Sequence, residues 1–585
     1  MFFYLDYRLG RRPATPEIRL LTPDMPTAEQ PQTLQVRTGA QRLENLDTPH
    51  GQLVLLGDPI IGNPKGLAEK LNPSPGVLDE AVLLEAVRGH YYWFFFTSEN
   101  LLCGSAFGAI FPVYYRQTDS GIQLCSSAAF LASRQGDSQP NSRNLLERLL
   151  FNYPVFNSTW WKGISLLEAH RHFHLSPDTA RIEGTFSVSD HFGPENPSSS
   201  AQRLRDLVEL FEEEVNLFLP GQPFAISFTG GFDGRTLVAA AQKSGREFLT
   251  YSFGRPGASD VTFPEMQARK LNIPYQPILL DEKYLEKEAL NAAHSFLELT
   301  EYNGNLGRPH YEYAARELSK QVDYILTGNF GSELFRAMHE PGVMMTKNLI
   351  DLFDSSGESW KDKLTAASRS IGGGYFQQDM ETLIADLERW LSDRRHLMPN
   401  QRFYDFVFNE LFRKYFGPEL VMQSHYFNNR TPFLSFRFFR ELNRTRWAGV
   451  HSQLFEKNKS KRMKGQVFYS SFLRHAHRKL YHLPTSKGYS PADVLEPWRL
   501  PLLAGKVLYH KRVKKQEPDS NAVVKFLESN REELLEWIGK ETTPLSGLLP
   551  SGVNWEEQIK WYTLAMGWKA AGMPVPSQTT HNSYA

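Results

Sequence analysis

The 585-residue sequence predicts an α/β protein with two unlike halves. A layered, β-rich N-terminal domain is expected over residues 1–190, and a larger domain over 201–575, built on a mostly parallel sheet with a helical extension. Three observations carry this. Short apolar runs separated by Gly, Ser, Asn and Asp dominate up to about residue 190, the pattern of short strands in a layered sheet. From about residue 201, strand-like and helix-like segments alternate with short turns, as they do in a parallel sheet covered by helices on both faces. Between them, His191-Phe-Gly-Pro-Glu-Asn-Pro-Ser-Ser-Ser200 holds too much Pro, Gly and Ser for helix or strand and reads as a linker.

In the first half, Leu53-Val-Leu-Leu-Gly57 is a buried-strand run ended by glycine. Gly89-His-Tyr-Tyr-Trp-Phe-Phe-Phe96 is aromatic enough for a central strand, and Ile110-Phe-Pro-Val-Tyr-Tyr115 reads as another. In the second half, helical spacing at Leu204, Leu207, Leu210 and Phe211 leads into the strand Phe224-Ala-Ile-Ser-Phe228. A Thr-Gly-Gly turn and a helix from about Thr236 follow. The alternation continues with a strand at Phe248–Phe253, a helix near 263–271, and strands at Tyr275–Leu280 and Asp323–Thr327. Residues 345–575 look mostly helical, with Leu383, Leu387, Trp390 and Leu391 on one face. Residues 576–585 are polar and are expected to form a flexible tail.

Composition narrows the function classes. The 65 basic and 65 acidic side chains lack the basic excess of a general nucleic-acid binder, so no nucleic-acid partner is expected. Two cysteines, Cys103 and Cys125, cannot make a disulfide-rich scaffold or a four-cysteine zinc site. Met-Phe-Phe-Tyr-Leu-Asp6 meets an acid before any apolar segment develops, and Leu101–Tyr115 is too short and interrupted to span a bilayer. A cytoplasmic protein with no membrane partner is expected, its oligomeric state left open.

The sharpest local signal is Ser227-Phe-Thr-Gly-Gly-Phe-Asp-Gly-Arg235. Glycines at a strand-to-helix turn let backbone amides approach an anion, and the helix N-terminus adds favourable partial charge. Asp233 in such a turn can hold magnesium on bound phosphates. The segment is neither a Walker A loop nor a Gly-x-Gly-x-x-Gly dinucleotide turn. A plain turn at a strand end is the simpler alternative. Its place at the crevice of an alternating sheet favours a ligand site.

Thr229-Gly-Gly-Phe-Asp233 resembles the Ser-Gly-Gly-Leu-Asp-Ser pyrophosphate loop of the asparagine synthetase family, whose members make AMP from ATP. Leu326-Thr-Gly-Asn-Phe-Gly-Ser-Glu-Leu-Phe335 is similar to that family's Ser-Gly-Glu-Gly-Ser-Asp-Glu-Leu-Phe segment, and Asn429-Arg-Thr-Pro-Phe-Leu434 to its Glu-x-Arg-x-Pro-Phe-Leu-Asp segment. Leu483-Pro-Thr-Ser-Lys-Gly-Tyr489 resembles its late Leu-Pro … Lys-x-Gly-Phe segment. Upstream, Arg88-Gly-His-Tyr-Tyr-Trp, Phe107–Tyr115 and Ser126-Ser-Ala-Ala-Phe-Leu131 resemble the family's glutaminase-like domain, of N-terminal-nucleophile type.

The resemblance implies an ATP pyrophosphatase domain. There Thr229, Gly230, Gly231 and Gly234 cradle pyrophosphate, and Phe228, Phe253, Thr327 and Gly328 give backbone contacts to adenosine. Asp233 and Glu333 bind Mg2+, and Lys487 steadies the transition state. ATP and Mg2+ are the implied cofactors. A small-molecule or peptide carboxylate and an amine are the implied partners, as in the β-lactam synthetases and lasso-peptide cyclases of this family.

The departures are specific. Phe2 stands where the family's nucleophilic cysteine belongs, so glutamine hydrolysis by that route is not expected. Gly234 and Arg235 replace two positions after the loop aspartate, and the Arg235 guanidinium is a candidate to bind phosphate. Ser332 replaces an aspartate, so one magnesium ligand of the family is missing. Asn428 replaces a glutamate that belongs to the catalytic base pair in lactam-forming relatives, and Ser435 an aspartate, so the resemblance implies adenylation more firmly than the amine-using half-reaction. From charge alone Lys487 is an ordinary exposed lysine, and Glu333 an acid favouring a helix start. His170, His172 and His174 alternate as on one strand face but lack metal-site spacing. The basic stretch Lys457–Lys479 reads first as a solvated helix face.

The leading expectation is an AMP-forming, magnesium-dependent amide synthetase that adenylates a carboxylate without its own glutaminase. An ammonia-dependent asparagine synthetase and a nucleotide-binding scaffold that has lost its chemistry are the alternatives. Adenylation for tRNA modification fits less well, because a cysteine pair and a basic excess are both missing.

Overall fold

The computed structural model describes the chain except residues 11–16, 22–30, 72–77, 137, 185, 195–196, 336–343, 355–358, 373, 457, 459–463, 500–504, 506–525, 539–554 and 573–585. The expected tail at 576–585 and part of the basic stretch 457–479 lie outside the described residues.

The protein is mixed α/β. Its first half holds two six-stranded sheets. One runs in the spatial order Ser165–Leu166, Tyr114–Thr118, Gly121–Cys125, Phe2–Arg8, Thr33–Arg37, Glu17–Leu20. The other runs Ala180–Glu183, His172–Leu175, Leu101–Ser105, Tyr91–Phe96, Gly51–Gly57, Arg42–Thr48. Alternation explains the aromatic run. Tyr92, Phe94 and Phe96 face the first sheet, where Phe3 meets Tyr92 and Phe94 edge-on, with centroids 4.8 and 5.1 Å apart. Tyr91, Trp93 and Phe95 face a second core under the helices Pro64–Leu71 and Glu80–Ala86. A strand apolar at every position is a strand buried on both faces.

The second half is built on five parallel strands in the order Tyr275–Leu279, Phe248–Gly254, Phe224–Ser227, Tyr324–Leu326, Asn428–Arg430. Counted along the chain the order is 3-2-1-4-5. The direction of winding therefore reverses between Phe224–Ser227 and Tyr324–Leu326, a topological switch point. Ile226 and Leu326 point into the core shared with helix Asp233–Ser244, and Ala225 and Ile325 into one shared with Pro309–Leu318.

Several expectations need correcting. Ile110–Val113 is buried but irregular, and the strand starts only at Tyr114. Pro112 has no N–H for a ladder, and its carbonyl accepts from Tyr92 Oη instead, at 3.0 Å. The helices expected from Thr236 and near 263–271 start earlier, at Asp233 and Ser259. The described linker residues are tied down: His191 ends a 3-10 turn, Ser198 exchanges backbone bonds with Arg444 and Arg446, and Phe192 is buried against Phe408.

One hydrophobic cluster runs through both halves, and buried polar bonds fasten them. Arg430 grips Asp58 with two nitrogens at 2.6 and 3.0 Å and lies 4.6 Å over the Tyr324 ring. Arg88 holds Glu214 in the same forked manner, at 2.7 and 2.9 Å.

Candidate functional site

The site grows from the end of strand Phe224–Ser227. There the chain must turn straight into helix Asp233–Ser244, and glycine makes that possible: a Cβ on Gly234 would lie 2.2 Å from the Ser227 carbonyl oxygen. Phe228 is fully buried and its N–H donates to the Tyr251 carbonyl at 2.8 Å, which fixes the loop's first residue. Thr229 is exposed beyond it, and the Gly231 N–H lies 3.4 Å from the Thr229 hydroxyl.

Across the switch point, Thr327 and Gly328 follow strand Tyr324–Leu326. The Thr327 hydroxyl donates to Asn429 Oδ1 at 3.0 Å, so its side chain is committed and its backbone borders the crevice. Gly328 packs flat on Asp233, because a Cβ there would lie 2.5 Å from the Asp233 Cβ. Gly331 is equally tight, its would-be Cβ 2.8 Å from Asp233 Oδ1 and 2.7 Å from the Tyr469 hydroxyl. Between these glycines, Phe330 is buried with φ +70°, a left-handed conformation that bulky residues avoid. Phe412 and Phe416 hold its ring, with centroids at 4.8 and 5.0 Å. The Ser332 hydroxyl donates to Asp233 Oδ2 at 3.0 Å. The position that lacks a second carboxylate thus supplies a hydrogen bond to the first. Glu333 is buried in the short helix Gly331–Phe335, and its carbonyl accepts from the Tyr404 hydroxyl at 3.2 Å.

The late segment 483–489 joins the same place. The Ser486 N–H donates to the Gly230 carbonyl at 3.1 Å, and a Cβ on Gly230 would meet Ser486 Cβ at 2.3 Å. Lys487 stands exposed on the turn that Thr485 closes with Tyr489 and Gly488. Three segments more than 90 residues apart in the chain therefore converge on one crevice at the carboxyl ends of the strands.

Arg235 is corrected. Its side chain is completely buried and its guanidinium donates to the carbonyls of Leu480, Leu483 and Pro484 at 3.4, 3.1 and 2.9 Å. Burial away from any carboxylate lowers its pKa to about 10. Gln267 donates to the same Pro484 carbonyl at 2.6 Å. Arg235 therefore anchors the Lys487 segment and does not offer itself to a phosphate.

Phe253 lies at the end of its strand, half-buried, with its ring 4.9 Å from His310 and 5.1 Å from Tyr311. These two neighbours went unnoticed in the sequence. The signal was Pro309 opening a helix just behind them. Burial, then the nearby Arg308 charge, lowers His310 to about 3, so the ring is neutral at physiological pH.

Gly328 and Gly331 let two turns close directly on Asp233, and Gly231 beside them is open. A carboxylate therefore stands next to a glycine turn at a helix N-terminus, a donor set that suits magnesium on a pyrophosphate. Among the described residues no group of three or more His, Cys, Asp or Glu side chains is arranged as a metal cage. Magnesium on a polyphosphate needs only one or two carboxylates, the rest of its shell coming from phosphate and water.

The remaining candidates go elsewhere. Asn428 donates to the Ala40 carbonyl at 3.3 Å, and Ser435 caps helix Phe436–Asn443 while donating to Glu214 at 2.6 Å. His170 meets Asn409 at 3.1 Å, His172 pairs with Glu80, and His174 with Glu183 at 3.1 Å. The three histidines are not gathered. Phe2 packs edge-on against Phe130, and burial pushes both the Cys103 and Cys125 thiols up, away from the reactive thiolate.

No protein-family model and no curated protein sequence matches the chain. Among solved structures it is similar to a glutamine phosphoribosylpyrophosphate amidotransferase from B. subtilis complexed with ADP and GMP, at 11% identity and a TM-score of 0.15. The match covers 43% of this chain and 52% of that one, so the chain spans about half of that protein. No described helix is long and apolar enough to cross a membrane.

Proposed function

We propose that the protein is an AMP-forming ligase that activates a carboxylate with ATP and passes the acyl group to an amine, without hydrolysing glutamine in its N-terminal half. The observation that carries this is the meeting of three segments at the switch point of the parallel sheet: the Gly328–Ser332 turn closes on Asp233, and the Lys487 turn closes on Gly230 of the same glycine loop. That arrangement supplies the parts the reaction uses, and it agrees with the motif resemblance to asparagine synthetases.

In the proposed reaction a carboxylate oxygen attacks the α-phosphorus of ATP. The bond to the β-phosphate oxygen breaks, pyrophosphate leaves, and an acyl-adenylate remains. The amine then attacks the acyl carbon, AMP departs with the bonding electrons, and the amine's surplus proton is lost. Gly230 and Gly234 let the loop close against Ser486 and Ser227. Gly231, whose would-be Cβ meets only the Thr229 hydroxyl at 3.5 Å, is the loop position with room for a phosphate near the N-terminus of helix Asp233–Ser244. Asp233, oriented by Ser332, with Glu333 one residue further on, would hold the magnesium ion, which supplies charge neutralisation on the departing pyrophosphate. Lys487, exposed on the turn that closes on Gly230, would bring a positive charge to the same oxygens. Phe253 with Tyr311 offers an aromatic ledge to the adenine.

A second reading, a nucleotide-binding scaffold without chemistry, is favoured by two observations. Arg235 is withdrawn from the loop, and Ser332 offers Asp233 a hydroxyl where the resembled family has a second acid. One experiment separates the two. Carboxylate-dependent ATP–pyrophosphate exchange, screened over acids that include aspartate, is expected with the wild type and is expected to fall at least about a hundredfold in Asp233→Ala. ATP binding with no exchange for any acid selects the scaffold. Exchange at the wild-type rate in folded Asp233→Ala overturns the site.

A further inference from the structure

A cavity of about 620 Å3 opens between the first half and the helical extension, lined by residues 141–188 on one side and 386–410 on the other. None of its lining residues belongs to the glycine loop or to the two segments that meet it. Its size is that of a small-molecule site.

The chemistry of its wall is uneven. Six carboxylates and four arginines line it. The arginines are largely spent. Arg143 pairs with Glu147 and with Asp386 at 3.1 Å, Arg394 pairs with Asp405, and Arg171 donates to the Gly184 carbonyl. Glu410 is held in turn by Lys414 and by Arg413. Glu168 differs. Among the described residues it pairs with no cation, and its only side-chain partner is the Asn157 amide, which donates to Oε1 at 2.6 Å. That bond fixes the amide's orientation, since only its nitrogen can donate to a carboxylate. Glu168 Oε2 and Asn157 Oδ1 are then two buried acceptors with no donor among the described residues. Buried acceptors left in this state cost free energy. Because both atoms are closed to water, a ligand's N–H groups recover it once the Glu168 and Asn157 side chains, which line the cavity, turn toward it.

The backbone around them is specialised. Asn409 and Glu410 enter the wall from Val407–Phe416, a ten-residue π-helix, a form that occurs mostly as single turns and frequently at functional sites. Opposite, Phe156 has φ +60°, its N–H donates to Glu410 at 3.0 Å, and its carbonyl accepts from Lys414. Glu410 thus holds strained backbone next to the orphaned acceptors. Trp390 and Phe186 add aromatic faces to the lining.

We propose that this cavity is a second ligand site, for a small organic cation whose N–H groups bond Glu168 and Asn157. A carboxylate or phosphate ligand is disfavoured by the excess of acids, and a quaternary ammonium cannot satisfy the two acceptors. The site uses none of the residues assigned to ATP, so its fate is independent of the ligase reading.

The test is calorimetric titration of the full chain, without nucleotide, against 1,4-diaminobutane, agmatine, tetramethylammonium and glutarate. Binding is expected for diaminobutane or agmatine and not for the other two. A primary-amine preference assigns an ammonium ligand, and an agmatine preference a guanidinium. Glu168→Gln is expected to weaken the preferred cation by at least about tenfold while leaving the thermal midpoint in place. Equal binding of tetramethylammonium, no binding of either N–H cation at millimolar concentration, or unchanged affinity in Glu168→Gln each overturns the proposal. If Glu168→Gln does not fold, the wild-type panel alone decides.

Discussion

Arg235 carries the argument at the scale of single residues. It follows the loop aspartate, where a guanidinium beside phosphates is an attractive idea, yet it spends its donors on three carbonyls of residues 480–484. A buried guanidinium without a carboxylate is expensive, and it persists because those carbonyls would otherwise be buried unpaired. Its effect on catalysis is therefore positional: it holds the turn that carries Lys487. Arg235→Gln is expected to lower unfolding free energy by about 2–4 kcal/mol in urea melts, since the shorter amide reaches at most one carbonyl. The remaining folded enzyme should keep its ATP affinity to within a few-fold. A variant of wild-type stability with lost ATP binding would show that the guanidinium meets the nucleotide after all.

At the scale of elements, what could be read in the sequence was whatever has a local cause. The glycine loop was legible because tight strand-to-helix turns demand glycine where the backbone closes in, as at Gly230, Gly234 and Gly328. The aromatic strand Tyr91–Phe96 was legible from its unbroken apolar run. The fifth parallel strand, Asn428–Arg430, was not, because three polar residues show no period, and its pairing with Tyr324–Leu326 is purely tertiary. The π-helix also has no sequence signature, since its apolar spacing passes for an ordinary helix. The cavity it borders was unforeseen for that reason. The polar strand earns its place through Arg430, which ties the sheet to Asp58 and donates to the Phe218 carbonyl at 3.0 Å. Arg430→Met is expected to cost about 3–5 kcal/mol, because Asp58 is left buried with only the half-exposed Arg42 beside it. Asp58→Asn combined with Arg430→Met should cost less than the two single changes added together. Additive losses would mean that the pair is not coupled.

Across the whole molecule, the two halves share one core and a seam of buried polar bonds, so acid should act on the seam as well as on the interiors. His90 marks the place. Its Nε2 lies 2.9 Å from the Thr431 hydroxyl, its ring is 5.6 Å from Phe111, and burial lowers its pKa to about 4 against a partial counter-pull from Asp58. The folded state therefore resists protonating this ring, whereas the unfolded chain takes a proton near pH 6.5. For a depressed histidine the stabilisation is complete above the unfolded pKa and is lost as pH falls toward the folded one, at up to about 1.4 kcal/mol per pH unit. By pH 5 the loss from this single residue amounts to about 2 kcal/mol. His90→Gln keeps a hydrogen-bonding group facing Thr431 and removes the titration. The variant is expected to be less stable than wild type at pH 7.5, with the gap closing by about 2 kcal/mol at pH 5 when both are unfolded in urea at each pH. Carboxyl groups raised by burial, such as Glu147 and Glu301, shift both proteins alike and drop out of the difference. A gap that stays constant between the two pH values would mean that His90 takes its proton as readily in the folded seam as in the unfolded chain. A gap that widens toward pH 5 would mean that the ring is already charged in the folded seam. Asp58 would then be holding a protonated ring as well as Arg430.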